Sequence, residues 1–237
     1  VKNPECFLEA NFLLAFGGDG TMLRSARTFA KFGLPIFGVN LGRRGFLTEA
    51  RSTELKKVIP KILSGSYFTD ERMMLNFQII RAGKNIFSSL ALNDIVIGKD
   101  GIARIIRMEA FIEDQPATNY AADGLIISTP TGSTGHNLSA EGPIIDPKLS
   151  AIILTAICSL SISNRSIVIG GNEKLRILIS EVPKGISVLL TSDGQQTYPL
   201  AKGDEILITK APFTTKFLRL NQNQFYSILK EKLGWKG

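Results

Sequence analysis

The feature that most constrains the fold is a glycine-rich loop between a buried strand and a helix. Residues 12–16 form a continuous apolar run, which is typical of a strand buried on both faces of a parallel sheet. The sequence Gly-Gly-Asp-Gly-Thr follows at residues 17–21, and residues 22–32 then carry apolar side chains at helical spacing. This order predicts part of a doubly wound α/β unit, whose ligands bind at the carboxyl ends of the strands.

The composition of this loop indicates phosphate chemistry. Glycines let backbone N–H groups approach phosphate oxygens, and the N-terminus of the following helix adds a favourable dipole. Asp19 can take a proton from an attacking hydroxyl group or position a metal ion, as phosphoryl transfer requires. An ordinary tight turn is the alternative, because Asp-Gly is a common turn dipeptide. We expect the active-site loop of a kinase for a small nucleotide-like substrate, with Asp19 as its catalytic carboxylate.

The rest of the first 68 residues predicts a doubly wound α/β domain. Residues 36–39 form a second short apolar run, which leads into another glycine loop and predicts a second buried strand. Residues 53–63 have helical spacing, with Ser52 or Thr53 as the candidate N-cap. We therefore expect an N-terminal α/β domain over residues 1–68.

Residues 69–212 predict a C-terminal β-sandwich domain. They hold many short strand-like runs separated by Gly, Asn, Asp and Pro. One exception is residues 149–160, which we predict to be a buried helix. Residues 224–233 again have helical spacing, and we expect residues 213–237 to pack back on the N-terminal domain. The strand-like runs are residues 75–80, 92–97, 105–112, 124–128, 175–179, 188–191 and 205–208.

Two further motifs carry polar side chains suited to binding. Residues 122–135 predict a strand that begins after Asp123 and ends in a loop with five hydroxyl side chains and two glycines. Such a loop can hold sugar hydroxyls or phosphate, although a solvated Ser/Thr/Gly loop is the alternative. Asn93 and Asp94 place an amide beside a carboxylate ahead of an apolar run. That pair can grip a ribose diol, or it can be an ordinary turn at an edge strand.

The charge of the chain favours phosphate-rich partners but not nucleic acid. The sequence has 237 residues, of which 44% are hydrophobic and 21% charged, and its formal net charge is +7. A positive charge attracts polyanions. The basic residues are scattered, however, with no run of five and no interleaved aromatic residues. We therefore expect no nucleic-acid partner.

The residues that bind metals most often are scarce. Cys6 and Cys158 lie far apart, and His136 is the single histidine, so neither a zinc site nor a disulfide framework is indicated. A catalytic metal would be held by carboxylates and by the phosphates of the substrate, which is typical of magnesium. No signal peptide is visible, and the apolar run at residues 151–162 is too short to span a bilayer. We expect a cytoplasmic protein without a membrane partner.

Together these motifs resemble the NAD kinase family. The Gly-Gly-Asp-Gly-Thr loop is shared with lipid kinases and phosphofructokinases, whereas the stretch at residues 122–135 is similar to NAD kinases in particular. The likeness runs from about Ala10 to the C-terminus. Further agreement lies in Asn40-x-Gly42-x-x-Gly45-Phe46-Leu47-Thr48, Asn93-Asp94, Gly142-Pro143-Ile144, Ser163-x-Arg165 and Asp193-Gly194-Gln195.

The resemblance implies a fold and an activity. Members have an N-terminal α/β domain and a C-terminal β-sandwich, and they assemble as dimers or tetramers. They transfer the terminal phosphoryl group of ATP, or in some bacteria of inorganic polyphosphate, to the 2′-hydroxyl of the adenosine ribose of NAD, which gives NADP. The resemblance therefore implies Mg²⁺ or another divalent metal with ATP. A lipid kinase and a non-catalytic dinucleotide sensor are the alternatives; no amphipathic stretch supports the first, and Asp19 argues against the second.

The resemblance also implies roles for individual residues. Asp19 would be the general base on the 2′-hydroxyl, Asn93 and Asp94 would bind the ribose of the nicotinamide half, and Asp123 would lie by the nicotinamide amide. Gln195 would sit at the edge of the pocket. The phosphate contacts implied are Gly17, Gly18, Gly20 and Thr21. Gly20 and Phe46 are further implied NAD contacts, and Phe46 would pack near the adenine. The residues that would close over the adenine are Thr131, Thr134, Gly135, His136 and Ser139.

Two departures from the family pattern stand out. The family commonly has alanine and tyrosine where this chain has Gly135 and His136, so histidine would replace a stacking ring. The family also places a strand and a helix before the glycine-loop strand, whereas only about a dozen residues precede it here. We therefore expect the N-terminal domain to be truncated at its start.

Overall fold

The computed structural model describes residue 7 and residues 9–42, 45–100, 104–161, 164–222 and 225–234. Ser163 of the Ser-x-Arg motif therefore lies outside the described residues. The chain divides into two compact units. We call Val1–Arg72 with Phe213–Gly237 the first unit, and Met73–Pro212 the second unit.

The described elements alternate between strands and helices at the start of the chain and are mostly strands afterwards. The helices are α1 (Asp19–Phe29), α2 (Leu55–Leu63), α3 (His136–Ser139) and α4 (Phe225–Leu233). The strands are β1 (Leu13–Gly17), β2 (Ile36–Asn40), β3 (Ala50–Arg51), β4 (Phe68–Arg81), β5 (Lys84–Ala91), β6 (Asp94–Asp100), β7 (Ile106–Ile112), β8 (Gln115–Ala122), β9 (Gly124–Ser128), β10 (Ala151–Ile157), β11 (Ile167–Gly170), β12 (Leu175–Glu181), β13 (Ser187–Ser192), β14 (Gln196–Leu200) and β15 (Glu205–Arg219). The predicted fold class, an α/β region followed by a mostly β region, is confirmed.

The first unit is built on parallel strands. Strand β1 pairs with β2 in parallel, so that Gly17 at the end of β1 lies beside Asn40 at the end of β2. All five residues of β2 are buried, as the continuous apolar run predicts. Helix α1 covers the strands with the buried side chains of Met22, Leu23 and Ala26. The helix predicted from residue 22 begins three residues earlier, which places Asp19 in its first turn.

The second helix starts differently from the prediction. A short 3-10 turn covers Ser52–Glu54, and α2 follows it. Neither Ser52 nor Thr53 caps the helix, so the predicted N-cap is wrong. Instead, the Glu54 carboxylate accepts the backbone N–H of Arg51 at 2.7 Å. The helix packs into a small apolar core formed by Phe37, Val39, Ala50, Val58, Ile62 and Leu218.

The second unit is a sandwich of two sheets. One sheet has the strand order β11-β10-β9-β6-β13-β14. In the other, β7 pairs antiparallel with both β8 and β12, and β12 pairs with the first residues of β15. Apolar side chains from both sheets meet in one core, because alternate residues of each strand point inward. Its members include Phe77, Ile97, Met108, Ile127, Leu154, Ile177, Leu190 and Ile206.

The predicted helix at residues 149–160 is wrong. This segment holds strand β10, which pairs antiparallel with β9 and β11 in the middle of a sheet. Its residues are apolar on both faces, so their period cannot separate a buried helix from a buried strand. The β-branched residues Ile152, Ile153 and Thr155 favour the strand, and the residues on both of its faces are buried from Ala151 to Thr155.

Among the residues that the structure describes, no helix has the length and the apolar character that crossing a membrane demands.

The sandwich core gives a prediction for stability. Phe77 has 0% exposure, and Phe77→Ala is expected to lower the free energy of unfolding by about 3–5 kcal/mol, since it removes apolar contacts and leaves a cavity. Urea denaturation followed by circular dichroism measures this loss. Leu63→Ala is the control: this side chain is 71% exposed, and the expected change is within about 0.5 kcal/mol. Equal losses in the two variants would contradict the assignment of the core.

Candidate functional site

The glycine loop of the first unit is a tight turn that closes on Thr21. The carbonyl of Gly18 accepts the backbone N–H groups of Thr21 at 3.0 Å and Met22 at 3.2 Å. A Cβ atom at Gly17 would overlap the Thr21 side chain, so glycine is needed there. The structure thus brings Gly17, Gly18, Gly20 and Thr21 together at the first turn of α1, where the helix dipole favours an anion.

The Asp19 carboxylate is held by a second backbone segment. Its Oδ2 accepts the N–H of Phe46 at 2.9 Å, and its Oδ1 accepts the N–H of Leu47 at 3.0 Å. A Cβ atom at Gly45 would overlap the carboxylate, which explains the glycine before this segment. Each carboxylate oxygen has two acceptor positions, so one on each oxygen remains for another donor. Asp19 is therefore oriented and still able to accept a proton.

A cavity of about 340 Å³ lies within the first unit, at the carboxyl ends of β2 and β3. Asn40 forms one edge of it: its side-chain amide donates to Thr48 Oγ1 at 3.1 Å, and its Oδ1 accepts the N–H of Gly42 at 2.6 Å. These bonds shape the loop that leads to Phe46. The residues lining the cavity are Asn40, Thr48, Glu49, Ala50, Arg51, Glu54, Val58, Leu220 and Asn221.

In the second unit, the structure joins the Asn93-Asp94 pair to the Ser/Thr loop. The Asn93 carbonyl accepts the backbone N–H of Thr129 at 2.8 Å and the Ser128 hydroxyl at 3.2 Å. Asp94 pairs with Ser128 across strands β6 and β9. A Cβ atom at Gly132 would overlap the Asn93 carbonyl, so this glycine lets the two segments approach. The two predicted binding motifs therefore form one surface.

Asp193 holds this corner in place, a role that the sequence analysis missed. Its carboxylate accepts the backbone N–H groups of Leu92, Asn93 and Asp94, at 3.2, 2.8 and 3.3 Å. Asp193 and Gly194 both have positive φ, in the turn between β13 and β14. The signal in the sequence was the Asp-Gly dipeptide between two strands, which is typical of such hairpins.

The carboxylate of Asp94 and the Oδ1 atom of Asn93 are both buried, although Asn93 as a whole is half-buried. Burial, reinforced by the negative charge of Asp193, raises the pKa of Asp94 to about 7. The Oδ1 atom of Asn93 is buried and has no hydrogen-bond partner within the described part of the chain. An unpaired buried acceptor costs stability, so it is a feature that a bound ligand can relieve.

Four of the hydroxyls in the Ser/Thr loop donate to carbonyls of the protein itself. Besides Ser128, Thr129 Oγ1 donates to the Leu92 carbonyl at 2.6 Å, Ser133 Oγ to the Pro130 carbonyl at 2.7 Å, and Thr134 Oγ1 to the Thr131 carbonyl at 3.5 Å. These hydrogen bonds stabilise the loop. The neighbouring predicted contacts lie along the same loop: Thr131 is buried, Thr134 and Gly135 are half-buried, and His136 and Ser139 are exposed on α3.

Asn137 anchors this loop and was not predicted. Its amide nitrogen donates to the carbonyls of Ser133 at 3.2 Å and Pro143 at 3.0 Å, while its Oδ1 accepts the Thr155 hydroxyl at 2.7 Å. A Cβ atom at Gly142 would overlap the Asn137 side chain. The Gly-Pro-Ile motif therefore has a structural reason, since its glycine makes room for this amide.

Asp123 and Gln195 are not part of the same cluster of contacts. Asp123 precedes Gly124, whereas the Asn93-Asp94 corner lies at Ser128, the other end of β9. A five-residue strand spans about 16 Å. Asp123 forms an ion pair with Lys99 at 2.6 Å. The side chain of Gln195 is exposed in the turn after Asp193. The second unit does not bring Asp123 to the Asn93-Asp94 corner.

The burial of Asp94 gives a prediction for pH dependence. The pKa of Asp94 is raised to about 7 in the folded protein, against an ordinary value of 3.8, so from about pH 4 to 7 the folded state keeps a proton that the unfolded state releases. The contribution of Asp94 to the free energy of unfolding therefore falls across this range and is constant above it. Asp94→Asn removes this loss.

We expect the stability difference, variant minus wild type, to grow by roughly 1–4 kcal/mol between pH 4 and pH 8. Urea denaturation of both proteins at each pH measures it. Asp114→Asn is the control, because that side chain is 91% exposed. If the difference in unfolding free energy between Asp94→Asn and the wild type does not change with pH, the pKa of Asp94 is not raised.

Two protein-family models match this chain, and together they include most of both units. The family model for the ATP-NAD kinase N-terminal domain matches residues 3–67, and the model for the ATP-NAD kinase C-terminal domain matches residues 92–220. Among curated relatives, the NAD kinase of Moorella thermoacetica is 45% identical, with 95% of this chain and 72% of the relative covered. The NAD kinase of Carboxydothermus hydrogenoformans is 42% identical, over 94% of this chain and 79% of the relative.

Two solved structures are similar in fold. The crystal structure of yeast NADH kinase complexed with NADH matches with a TM-score of 0.88 and 28% identity, covering 96% of this chain and 67% of the yeast chain. The structure of an NAD kinase from Archaeoglobus fulgidus in complex with ATP matches with a TM-score of 0.77 and 25% identity, covering 98% of this chain and 86% of that chain. The resemblance inferred from the glycine loop and the Asp123 stretch is confirmed, and the chain belongs to the NAD kinase family.

Proposed function

We propose that this chain is an NAD kinase, a phosphotransferase with an alcohol group as acceptor. It transfers the terminal phosphoryl group of ATP to the 2′-hydroxyl of the adenosine ribose of NAD and so makes NADP. One observation supports this function above all: the Asp19 carboxylate stands in the first turn of α1, beside a glycine loop, with each oxygen oriented by one backbone N–H group. The curated relative from Moorella thermoacetica is named NAD kinase. The two similar solved structures are complexes with NADH and with ATP.

The glycine loop binds the phosphates of the donor. Gly17, Gly18, Gly20 and Thr21 present small side chains and backbone groups at the N-terminus of α1. The helix dipole and the N–H groups favour the negative phosphates and the charge that spreads over the transferred group in the transition state.

Asp19 acts as the general base. Its free lone pairs accept the proton of the 2′-hydroxyl as that oxygen forms a bond to the γ-phosphorus. The bond between this phosphorus and the β,γ-bridging oxygen breaks, and ADP leaves with the electron pair. Because two backbone N–H groups orient the carboxylate, little reorganisation is needed when the hydroxyl approaches.

The Asn93-Asp94 corner binds a ribose of NAD. The unpaired Oδ1 of Asn93 accepts a hydroxyl, and Asp94, with its pKa raised to about 7, can donate or accept a hydrogen bond near neutral pH. We propose that Asp123 and Gln195 also contact NAD, as the family resemblance implies. The remaining proposed NAD contacts are Gly20, Phe46, Thr131, Thr134, Gly135, His136 and Ser139.

A divalent cation such as Mg²⁺ is proposed to enter with ATP. The described residues contain no group of three His, Cys, Asp or Glu side chains that could hold a metal ion. This composition fits a cation bound to the triphosphate more than a resident metal site. Such a cation neutralises charge on the phosphate oxygens when bound.

Several broader properties stay proposals from the sequence. We propose a homo-oligomer, either a dimer or a tetramer, and a cytoplasmic location without membrane or nucleic-acid partners. We also propose the two predicted domains, residues 1–68 with 213–237 and residues 69–212. Inorganic polyphosphate is the second donor to be assayed beside ATP.

The base assignment predicts the effect of one substitution. Asp19→Asn is expected to lower kcat for NADP formation by about 10²–10⁴-fold, because an amide does not accept the hydroxyl proton. NAD affinity should stay within about threefold, since the proposed contacts of Asn93 and Asp94 are unchanged and the amide oxygen of the variant can still accept a hydrogen bond. Enzymatic cycling detects NADP with NAD, ATP and magnesium, and isothermal titration calorimetry measures NAD binding. Near-wild-type turnover of this variant would show that Asp19 is not the general base.

The exposed Asp114 provides the matched control. Asp114→Asn makes the same chemical change on a side chain that is 3.8 Å from Arg176 at the surface, and its kcat should equal that of the wild type. A similar loss in both variants would indicate a general effect of charge. If the wild type makes no NADP with ATP or with polyphosphate, NAD kinase activity itself is refuted.

The unpaired acceptor of Asn93 predicts that replacing this residue weakens NAD binding without lowering the stability of the fold. Asn93→Leu is expected to leave the unfolding free energy unchanged or slightly higher, because it removes a buried acceptor without a partner. The same change should weaken NAD binding about 10- to 100-fold. Calorimetry and urea denaturation measure the two effects, with the exposed Asn119→Leu as control. Unchanged NAD affinity would exclude a role for this side chain in binding.

A further inference from the structure

We propose that Arg219, the last residue of β15, positions the catalytic base by holding the backbone segment to which the Asp19 carboxylate is bound. This inference rests on the proposed role of Asp19 as the base. Arg219 is a positioning residue, because its contacts reach the backbone beside Asp19 and not the reacting atoms.

The segment Phe46-Leu47 is held from both sides of its backbone. Its two N–H groups donate to the carboxylate of Asp19, at 2.9 and 3.0 Å. Its two carbonyls accept from Arg219: Nη1 donates to the Leu47 carbonyl at 3.1 Å, and Nη2 approaches the Phe46 carbonyl at 3.5 Å. The same two peptide units therefore connect the guanidinium with the carboxylate, so a shift of the segment moves the base.

Two carboxylates hold the guanidinium in turn. Its Nε donates to Asp70 Oδ2 at 3.1 Å, and its Nη1 lies 3.3 Å from Glu49 Oε2. The other oxygen of Glu49 accepts the backbone N–H of Leu220 at 2.9 Å, which ties the end of β15 to the same loop. The Arg219 side chain is only 10% exposed, so its charge depends on these partners for compensation.

Asp70 is suited to this support because it stays ionised. Burial alone would raise its pKa, but hydrogen bonds and charge from Arg72 and Arg219 outweigh burial and hold the pKa of Asp70 below its ordinary value. Arg72 binds this carboxylate at 2.7 and 2.6 Å through Nε and Nη2. The anchor of Arg219 is therefore itself fixed by a bidentate pair.

Only arginine suits this position. A guanidinium offers five N–H donors in one plane, and here it uses them on two carbonyls and two carboxylates. A lysine ammonium at the same place keeps the charge but cannot reach all four acceptors. Since misplacement of a catalytic group by about 1 Å can cost about 10²-fold in rate, a loosened segment should appear in kcat.

The first experiment measures steady-state kinetics of Arg219→Lys with NAD, ATP and magnesium. We expect kcat to fall about 10- to 100-fold while KM for NAD stays within about twofold. Arg81→Lys is the matched control, because Arg81 makes a bidentate pair with the buried Asp204 at 2.8 and 2.7 Å, in the second unit. Its kcat per folded molecule should be unchanged. Equal kcat losses in the two variants, or a wild-type kcat in Arg219→Lys, would overturn the inference.

The second experiment needs no activity. Hydrogen–deuterium exchange of the Phe46 and Leu47 amides should be about tenfold faster or more in Arg219→Lys and unchanged in Arg81→Lys. If Arg219→Lys does not fold, Glu49→Gln replaces it; that variant keeps an acceptor for Leu220 but loses its charge beside Arg219, and we expect a smaller increase. Unchanged exchange in the folded variant would refute the inference.

The two experiments also separate this inference from the proposed function. A wild-type protein that makes no NADP refutes NAD kinase activity, while amide exchange still reports whether Arg219 holds the segment bound to Asp19. In an active wild type, Arg219→Lys should also have little further effect on the residual rate of Asp19→Asn, because both changes act through one carboxylate. Multiplicative losses in that double variant would contradict an action through Asp19.

Discussion

The chemistry proposed for the first unit depends on two hydrogen bonds, from the N–H groups of Phe46 and Leu47 to the carboxylate of Asp19. A carboxylate at the start of a helix, facing a glycine loop, would otherwise rotate freely. The two bonds set its orientation and leave one acceptor position on each oxygen. Gly45 is needed for the approach, because a side chain there would overlap the carboxylate. Gly45 therefore serves the placement of Asp19, beside a glycine loop that we propose binds phosphate.

The second unit uses the same kind of contact for a different purpose. Asp193 accepts three backbone N–H groups, from Leu92 to Asp94, and so shapes the corner that presents Asn93 and Asp94. This arrangement places two buried carboxylates close together, and it contributes to the raised pKa of Asp94. This burial and charge repulsion are unfavourable, and they occur at the same corner where the Oδ1 atom of Asn93 has no hydrogen-bond partner among the described residues. Strain of this kind is typical of binding sites, where the ligand restores the missing interactions.

Much of the fold and part of the site could be predicted from the sequence, because those signals are local. The loop around Asp19 combines an apolar run, glycines and helical spacing within about twenty residues. Strand β10 was mistaken for a helix, since a run that is apolar on both faces carries no period. Asp193 and Arg219 were missed because their partners lie about 100 and 170 residues away in sequence. The distance of Asp123 from the Asn93 corner also depends on strand register, which no local pattern specifies.

Asp193 and Asp19 differ in burial and in the number of backbone N–H groups that their carboxylates accept. Asp193 is buried and accepts three backbone N–H groups, so its carboxylate is committed to holding the chain. Asp19 is only partly buried and accepts two, one on each oxygen. A third donor, the substrate hydroxyl, can approach Asp19 without displacing either bond. Only two backbone N–H groups orient the proposed base, so the segment that carries them needs support from elsewhere. Arg219 contacts the opposite, carbonyl side of the same peptides.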